Sequence, residues 1–302
     1  MLLAISVIIP TKNRKSLLLK TLYSISLQKE QPKEIIIIDS SDNLEIGIFE
    51  NINSLKSQII HQKAIESGAA KQRNQGVSIS NFDIIAFFDD DIYLEENCIL
   101  NLFSHLTSSE KIGGVSALIT NQLYQKTGKI STKFYQLISG SKSNTFAGKC
   151  IGPVINFLPA DEGKITNKVD WLNTTCTMYK KDVLPDPPFP SHLIGYSLME
   201  DLTLSLKVAQ TKELYNIRTA RIYHDTQESS SKHSISELAK MDLVNRHYIM
   251  KNIMKNNSFS DYIKLAAQQM FSLLSTFTDT RKIKNIPLIL KGKFQALKEL
   301  NQ

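Results

Sequence analysis

The chain has 302 residues, 42% hydrophobic and 22% charged, a balance that suits one large core, or one core with a small appendage. It excludes a disordered, collagen-like or coiled-coil chain over most of its length. Cys98, Cys150 and Cys176 stand far apart without C-x-x-C spacing, which excludes a zinc site and points to reduced thiols in a cytosolic protein. The net charge of +7 lies in the C-terminal segment: from Lys232 onward there are twelve Lys/Arg and five Asp/Glu, while residues 1–231 hold equal numbers of each sign.

Residues 4–9 form a short apolar run closed by Pro10, Thr11, Lys12, Asn13 and Arg14. With no basic leading region and no small-residue cleavage site, this run reads as a buried first strand rather than a signal peptide. Leu18, Leu22 and Ile25 recur at helical spacing, and residues 35–38 are a β-branched run ending in Asp39. Strand, helix and strand in this span make a βαβ unit with parallel strands. Residues 64–78 predict a helix, and residues 83–88 a buried strand ending in Asp89, Asp90 and Asp91. Ile99, Leu102, Phe103 and Leu106 then mark an amphipathic helix. Strands alternating with helices predict an α/β fold with an open sheet.

Residues 120–170 are rich in Gly, Ser, Thr, Asn and Lys and carry no clear periodicity. The proline run around residues 183–189 requires an extended loop. Residues 200–210 fit strand or helix by periodicity, and the acidic residues at their start favour helix. Ser234 and Glu237 have the spacing of a capping box, and Ile263, Ala267, Met270, Leu274 and Phe277 follow as a near-heptad apolar stripe. No apolar run reaches the ~18 residues of a membrane span.

Ligands of open α/β sheets bind beyond the carboxyl ends of the strands. Three strand ends here carry polar groups, Thr11, Asp39 and the Asp89–Asp90–Asp91 run, so their loops should face one crevice. Three successive aspartates repel one another unless something offsets their charge. A divalent cation that takes hard oxygen ligands, Mg²⁺ or Mn²⁺, does so and can also hold a pyrophosphate leaving group. A solvated acidic turn that caps the next helix is the simpler alternative.

The segments V-I-I-P-T-K-N-R, I-I-I-I-D, G-A-A-K-Q-R-N-Q-G, I-I-A-F-F-D-D-D and M-E-D-L, in this order, resemble glycosyltransferase family 2. The resemblance covers about residues 4–225 and implies an α/β GT-A fold, an open and mostly parallel sheet flanked by helices. Its nucleotide-sugar half would span about residues 1–115, its acceptor half about 116–231, and a basic helical extension residues 232–302. Pro10, Thr11 and Asp39 would then contact the nucleoside, with Asp39 on the base, and Arg73 would lie near the base or diphosphate. Asp89 and Asp90 would serve the nucleotide, and Asp91 with Asp89 a divalent metal. Asp201 of the E-D pair would be the general base, taking the proton of an acceptor hydroxyl as that oxygen attacks the anomeric carbon and inverts it. Glu200 would position the base or the acceptor. His224 would approach the metal or diphosphate, and Trp171 would line an acceptor pocket. A lone His or Trp is as often structural. Ser229, Ser230, Ser231 and Lys232 suit a loop over the phosphates or a plain polar linker. Lys12 and Ser40 depart from the family's usual residues and leave the base open, with UDP- or dTDP-sugars as the implied donors.

The implied activity is inverting transfer of a sugar to a hydroxyl of a glycan or lipid-linked acceptor. An inactive sugar-nucleotide binder would have no need of Asp89, Asp91 and Asp201 together. A nucleotidyltransferase would want a glycine-rich phosphate loop, and residues 10–14 contain no glycine. The basic segment has no nucleic-acid motif and no interleaved aromatics, so no nucleic-acid partner is expected. Cationic amphipathic helices without a span fit an anionic membrane surface, with the enzyme cytoplasmic and peripheral on the inner face. Packing of these helices on the catalytic domain or in a homo-oligomer is the alternative.

Overall fold

The computed structural model describes residues 1–44, 49, 52–193, 197–226 and 234–301. The polar stretch at residues 229–232 lies outside the described residues. In chain order the elements are β1 (Leu2–Thr11), α1 (Lys15–Ser26), β2 (Gln31–Asp39), β3 (Gln58–Lys63), α2 (Ala69–Ser78), β4 (Ile84–Phe88), β5 (Ile92–Leu94), α3 (Cys98–Thr107) and β6 (Ile112–Ile119). Then follow α4 (Lys129–Ser139), β7 (Cys150–Ile151), β8 (Ile155–Asn156), β9 (Thr166–Val169), β10 (Cys176–Lys180), α5 (Glu200–Val208) and β11 (Glu213–His224). Helices α6 (Ile235–Tyr248), α7 (Phe259–Ser275), α8 (Thr280–Ile283) and α9 (Ile286–Leu300) complete the chain.

Two compact units are present, Met1–Gln125 with Leu158–Gln227, and Lys126–Phe157 with Glu228–Gln302. The sequence suggests a single boundary near residue 231, whereas this division is discontinuous. Residues 126–157 group with the C-terminal helices through contacts such as the stacked rings of Phe134 and Phe271, 4.1 Å between centroids.

The first unit holds one mixed sheet in the order β3-β2-β1-β4-β10-β6-β11-β5, with β9 also paired to β11. Strands β3, β2, β1 and β4 run parallel, as do β6 and β11, and β10 enters antiparallel between β4 and β6. Alternation along the strands explains the two layers around the sheet. Val7, Ile9, Ile35 and Ile37 face a core with Leu18 and Leu22 of α1 and Leu102 of α3. Ile8, Ile36 and Ile38 face the opposite core with Ala70 of α2 and Leu204 and Val208 of α5. Each fully buried Leu or Ile stabilises the fold by roughly 1.5–3 kcal/mol. Gly76 lets α2 lie close on β1, because a Cβ there would meet the Ile8 side chain.

Most predicted elements are present, the helix favoured over residues 200–210 among them, with two differences. The helix expected over residues 64–78 begins at Ala69, after the unforeseen strand β3, whose face is only half-buried and carries His61 and Lys63. Residues 200–208 form a helix. Leu202, Thr203, Leu204, Ser205 and Val208 are all buried, so burial nearly all round erases the amphipathic period. Residues 150–156 contain the small hairpin β7–β8, which the sequence did not reveal.

In the second unit, the Ser234 side chain accepts from the Glu237 amide, and the Glu237 carboxylate accepts from the Ser234 amide, closing the expected capping box at α6. A second box, Ser258 with Asp261, opens α7. Among the described residues no helix is long and apolar enough to cross a membrane.

Candidate active site

The parallel strands β1, β2 and β4 deliver their carboxyl ends to one edge of the sheet. Register pairs Thr11 with Asp39, and the Gln72 side chain of α2 donates to the carbonyls of Thr11 and Ile38, 3.0 and 2.6 Å, tying the two strand ends together. Asp39 accepts from the Ser41 amide at 2.7 Å and lies 3.1 Å from His61 Nε2 of β3. Pro10 is buried in the last turn-free residues of β1, paired with Ile38.

The Asp89–Asp90–Asp91 run splits by direction. Asp90 turns inward, where Thr11 Oγ1 donates to it at 2.7 Å and Arg14 at 2.7 Å. Burial pushes the Asp90 carboxyl up to about 7, against the opposing pull of Arg14 and Thr11. The other Arg14 nitrogen donates to Asp91 at 2.7 Å. Asp91 Oδ1 and Asp89 Oδ2 are left on the side of His224.

Strand pairing brings His224 there. The β5–β11 register sets His224 opposite Ile92, the residue after Asp91, so Nε2 lies 3.0 Å from Asp91 Oδ1 and 4.0 Å from Asp89 Oδ2. Gln122 Nε2 is 3.1 Å from the other ring nitrogen. Against the effect of burial, His224 and Arg14 hold the Asp91 carboxyl below the usual range. Likewise, against burial, Asp91 and Asp89 raise His224.

Asp89, Asp91 and His224 can each turn one ligand atom to a common point, all within 4.8 Å of one another. Asp91 Oδ1 is buried, and its near neighbour there is His224 Nε2, outside good hydrogen-bond geometry, so the oxygen keeps room for a further ligand. Two carboxylates and an imidazole are a fitting donor set for Mn²⁺, and the carboxylates alone for Mg²⁺.

On the opposite side of Asp89 stands Arg73 of α2, almost fully buried. One guanidinium nitrogen donates to Asp89 at 2.7 Å, the other pairs with Glu200, and the ring of Phe189 lies 5.9 Å from its centre. Glu200 and Asp201 open α5, after Met199 with φ 68°, where the helix dipole favours negative charge. Burial pushes Glu200 up to about 7, opposed by Arg73, and Asp201 up to about 6, opposed by the Leu202 amide that donates to it at 2.7 Å. Ser205 of α5 donates to the Leu172 carbonyl at 3.1 Å, fixing the helix on the segment that follows β9.

Trp171 lies in that segment and is buried. Further along it, the Thr175 carbonyl accepts from the Asp89 amide at 3.0 Å. The structure thus gathers Thr11, Arg73, Asp89, Asp90, Asp91, Glu200 and His224 into one hydrogen-bonded and ion-paired group, with Asp39 beside it through Thr11. Asp201 neighbours Glu200 in the same helical turn, and Trp171 joins only through its segment. Arg14 and Gln122 were not singled out by sequence reasoning. Arg14 lies in a quoted motif and offered a signal, whereas Gln122 offered none.

The profile of Glycosyl transferase family 2 matches residues 6–157. A Campylobacter jejuni protein described as GalNAc(5)-diNAcBac-PP-undecaprenol beta-1,3-glucosyltransferase is 23% identical over 97% of this chain and 88% of its own length. The Streptococcus pneumoniae glycosyltransferase GlyG is 30% identical over 35% of this chain and 36% of its own. Among solved structures, Staphylococcus aureus TarS (residues 1–349) with UDP-GlcNAc superposes with a TM-score of 0.60 at 16% identity, covering 96% of this chain and 79% of that one. The Pyrobaculum calidifontis mannosyltransferase PcManGT with GDP-Man and Mn²⁺ gives 0.58 at 14% identity, covering 97% and 87%. At such identities these structures establish the fold, which is GT-A. Half of the sequence carries the profile and the whole chain carries the fold, and on these grounds the protein belongs to glycosyl transferase family 2 and is a glycosyltransferase.

Proposed function

We propose that the enzyme moves a sugar from a nucleoside-diphosphate donor to a hydroxyl of a lipid-linked glycan, with inversion at the anomeric carbon, at the cytoplasmic face of a membrane. The observation that carries this reading is the placement of Asp89 between the Asp91–His224 pair and the Arg73–Glu200 pair. A donor-binding carboxylate group and an acceptor-side carboxylate group meet there.

Asp89, Asp91 and His224 would hold Mn²⁺ or Mg²⁺, with Mn²⁺ favoured by the imidazole donor. When bound, such an ion neutralises the diphosphate as it departs. Thr11 and Asp39 would hold the nucleoside, with Asp39 close enough to His61 to aim its carboxylate at a base edge. Pro10, buried beside Thr11 at the end of β1, would complete the nucleoside contacts. Asp90 has both oxygens engaged by Thr11 and Arg14, so it braces the loop that carries Asp89 and Asp91. Arg73 acts as a positioning residue between donor and acceptor sides.

Asp201 would take the proton of the acceptor hydroxyl. Raised to about 6 by burial, it is ionised at neutral pH and still basic enough to receive a proton. Glu200, held by Arg73, fixes the helix turn from which Asp201 works. Trp171 supports the acceptor side through its segment. A lipid-linked acceptor is supported by the Campylobacter relative, described as acting on an undecaprenol-diphosphate glycan, and a nucleotide-sugar donor with Mn²⁺ by PcManGT. The donor classes are UDP- and dTDP-sugars, with GDP-sugars added by that neighbour.

The stereochemical test is transfer to a polyprenyl-diphosphate glycan, followed by NMR of the new glycosidic bond. Inverted anomeric configuration is expected; retention contradicts direct displacement.

A further inference from the structure

The second unit leaves much of its apolar helix surface exposed. On α7 the inward side is mixed: Gln268 and Gln269 are buried beside Leu265, and Phe271 stacks on Phe134. Gln269 donates to Asp242 at 3.1 Å and is bonded by Lys293, and Asp242 also accepts from Arg246 at 2.9 Å. The outward side of the same helix, continued into the turn at Thr276–Thr278, is apolar. Phe259, Ile263, Met270, Leu274 and Phe277 lie there at helical spacing, each between 53% and 82% exposed.

Helix α9 likewise turns its large apolar residues outward. Its buried residues are the small Gly292 and Ala296, and a Cβ on Gly292 would run into the Ser236 carbonyl of α6. Leu290, Phe294 and Leu297 point outward, each 48–61% exposed. An apolar residue followed by lysine recurs every seven residues, at Leu290-Lys291 and Leu297-Lys298 on α9 and before them at Ile283-Lys284, where α8 ends. Lys298 Nζ sits 4.8 Å from the centroid of the Phe294 ring, so cation and apolar surface are adjacent.

A helix bathed in water on that side would place these residues the other way round. Exposed apolar stripes of this extent mark a docking surface. The charge identifies what docks. Residues 126–157 carry five lysines and no acid, and residues 228–302 carry twelve Lys/Arg against six Asp/Glu. The unit is therefore +11 and the rest of the chain −4. A second copy would bring like charges together, which opposes self-association. An anionic bilayer offers both an apolar interior and negative headgroups.

We propose that α7 and α9 are the membrane-docking surface of this enzyme, with their Phe, Leu and Met side chains entering the headgroup–acyl boundary and Lys284, Lys291 and Lys298 meeting lipid phosphates. This deepens the peripheral placement proposed above and rests on it. Apolar insertion and phosphate contact act together, so binding requires anionic lipid and weakens with salt.

The test is co-sedimentation of the full chain with vesicles of phosphatidylcholine, or of equimolar phosphatidylcholine and phosphatidylglycerol, at low and high salt. Binding to the anionic vesicles alone is expected, reduced by salt. Met270→Glu/Leu274→Glu and Lys291→Glu/Lys298→Glu should each lower the partition coefficient by on the order of tenfold or more. These side chains are exposed or lie at the surface, so the melting temperature and the nucleotide-induced thermal shift should stay at wild-type values. Equal, negligible binding to both vesicle types would overturn the proposal. So would a stable dimer in light scattering that Met270→Glu/Leu274→Glu dissolves, because the stripe would then be a subunit interface. Either result leaves transfer to a water-soluble acceptor intact and so does not touch the assigned activity.

Discussion

Arg73 on α2 and Glu200 in the first turn of α5 are ion-paired although 127 residues separate them, and the same guanidinium also holds Asp89. The pair joins the end of β4 to the start of α5, so it sets Asp89 against Glu200 and Asp201. Removing the cation would leave Glu200 buried and uncompensated, with Asp89 half-buried beside it, and breaking such a buried pair typically destabilises by about 3–5 kcal/mol. Arg73→Met is therefore expected to lower the chemical-denaturation midpoint sharply. Arg73→Lys, which keeps the charge but not the two-pronged donor set, should be milder in stability and still lower kcat. Equal stability of Arg73→Met and wild type in urea would show that the pair carries no structural weight.

Asp201→Asn should reduce kcat by roughly 10²–10⁴, the range typical of a lost general base. The thermal shift produced by donor nucleotide should be unchanged if Asp201 serves the acceptor as proposed. In the wild-type enzyme kcat/KM should fall as the pH drops below about 6, where Asp201 takes up its proton. A mutant with normal turnover and weakened nucleotide binding would contradict the assignment.

The metal-free protein should lose stability with rising pH. Glu200 and Asp201 have folded values of about 7 and about 6, above their ordinary 4.5 and 3.8, because burial disfavours their charge. The unfolded chain gives up these protons first, so the folded state holds more protons between the two sets of values. Their contribution is full below about pH 4 and is lost as the pH rises through 6 and 7. Melting temperatures in chelator should decline from pH 5 to pH 8, and Glu200→Gln should flatten the decline. A melting temperature that climbs across this range would contradict the burial-driven shifts.

Gly292→Ala places a methyl group against the Ser236 carbonyl, a backbone atom that cannot move aside freely. The overpacking should destabilise the protein by about 1–3 kcal/mol, despite the better helix propensity of alanine. Thermal melting checks this directly. A stabilised Gly292→Ala would mean that the small side of α9 does not face α6.

Much of the site was legible in the sequence because it sits where parallel strands end. Thr11, Asp39 and Asp89 each follow a β-branched or aromatic run, and strand topology alone brings them to one edge. The division of labour within the aspartate run was not legible. Asp90 turns inward only because Arg14 and Thr11 wait there, and Arg14 reads locally as one more solvated cation. Strand β3 stayed hidden because only its pairing with β2, and not an apolar run, makes it a strand. Helix α5 was ambiguous because burial on nearly every side removes the period by which a helix is recognised. The apolar stripe from Ile263 to Phe277 was legible as a stripe, yet its outward direction was not, since the polar residues that face inward are set by partners such as Asp242 on another helix.

The most direct measurement of the central claim is a thermal-shift titration of wild type and Asp91→Asn with UDP-, dTDP- and GDP-sugars, each with Mn²⁺ and with chelator. A ligand that binds the native state alone raises the melting temperature. One nucleotide sugar should stabilise the wild-type protein strongly with Mn²⁺ and weakly in chelator, and Asp91→Asn should lose the Mn²⁺-dependent part while melting as a folded protein. Stabilisation of equal size with and without the metal, or an Asp91→Asn response identical to wild type, would contradict a metal-assisted nucleotide-sugar site at Asp89, Asp91 and His224.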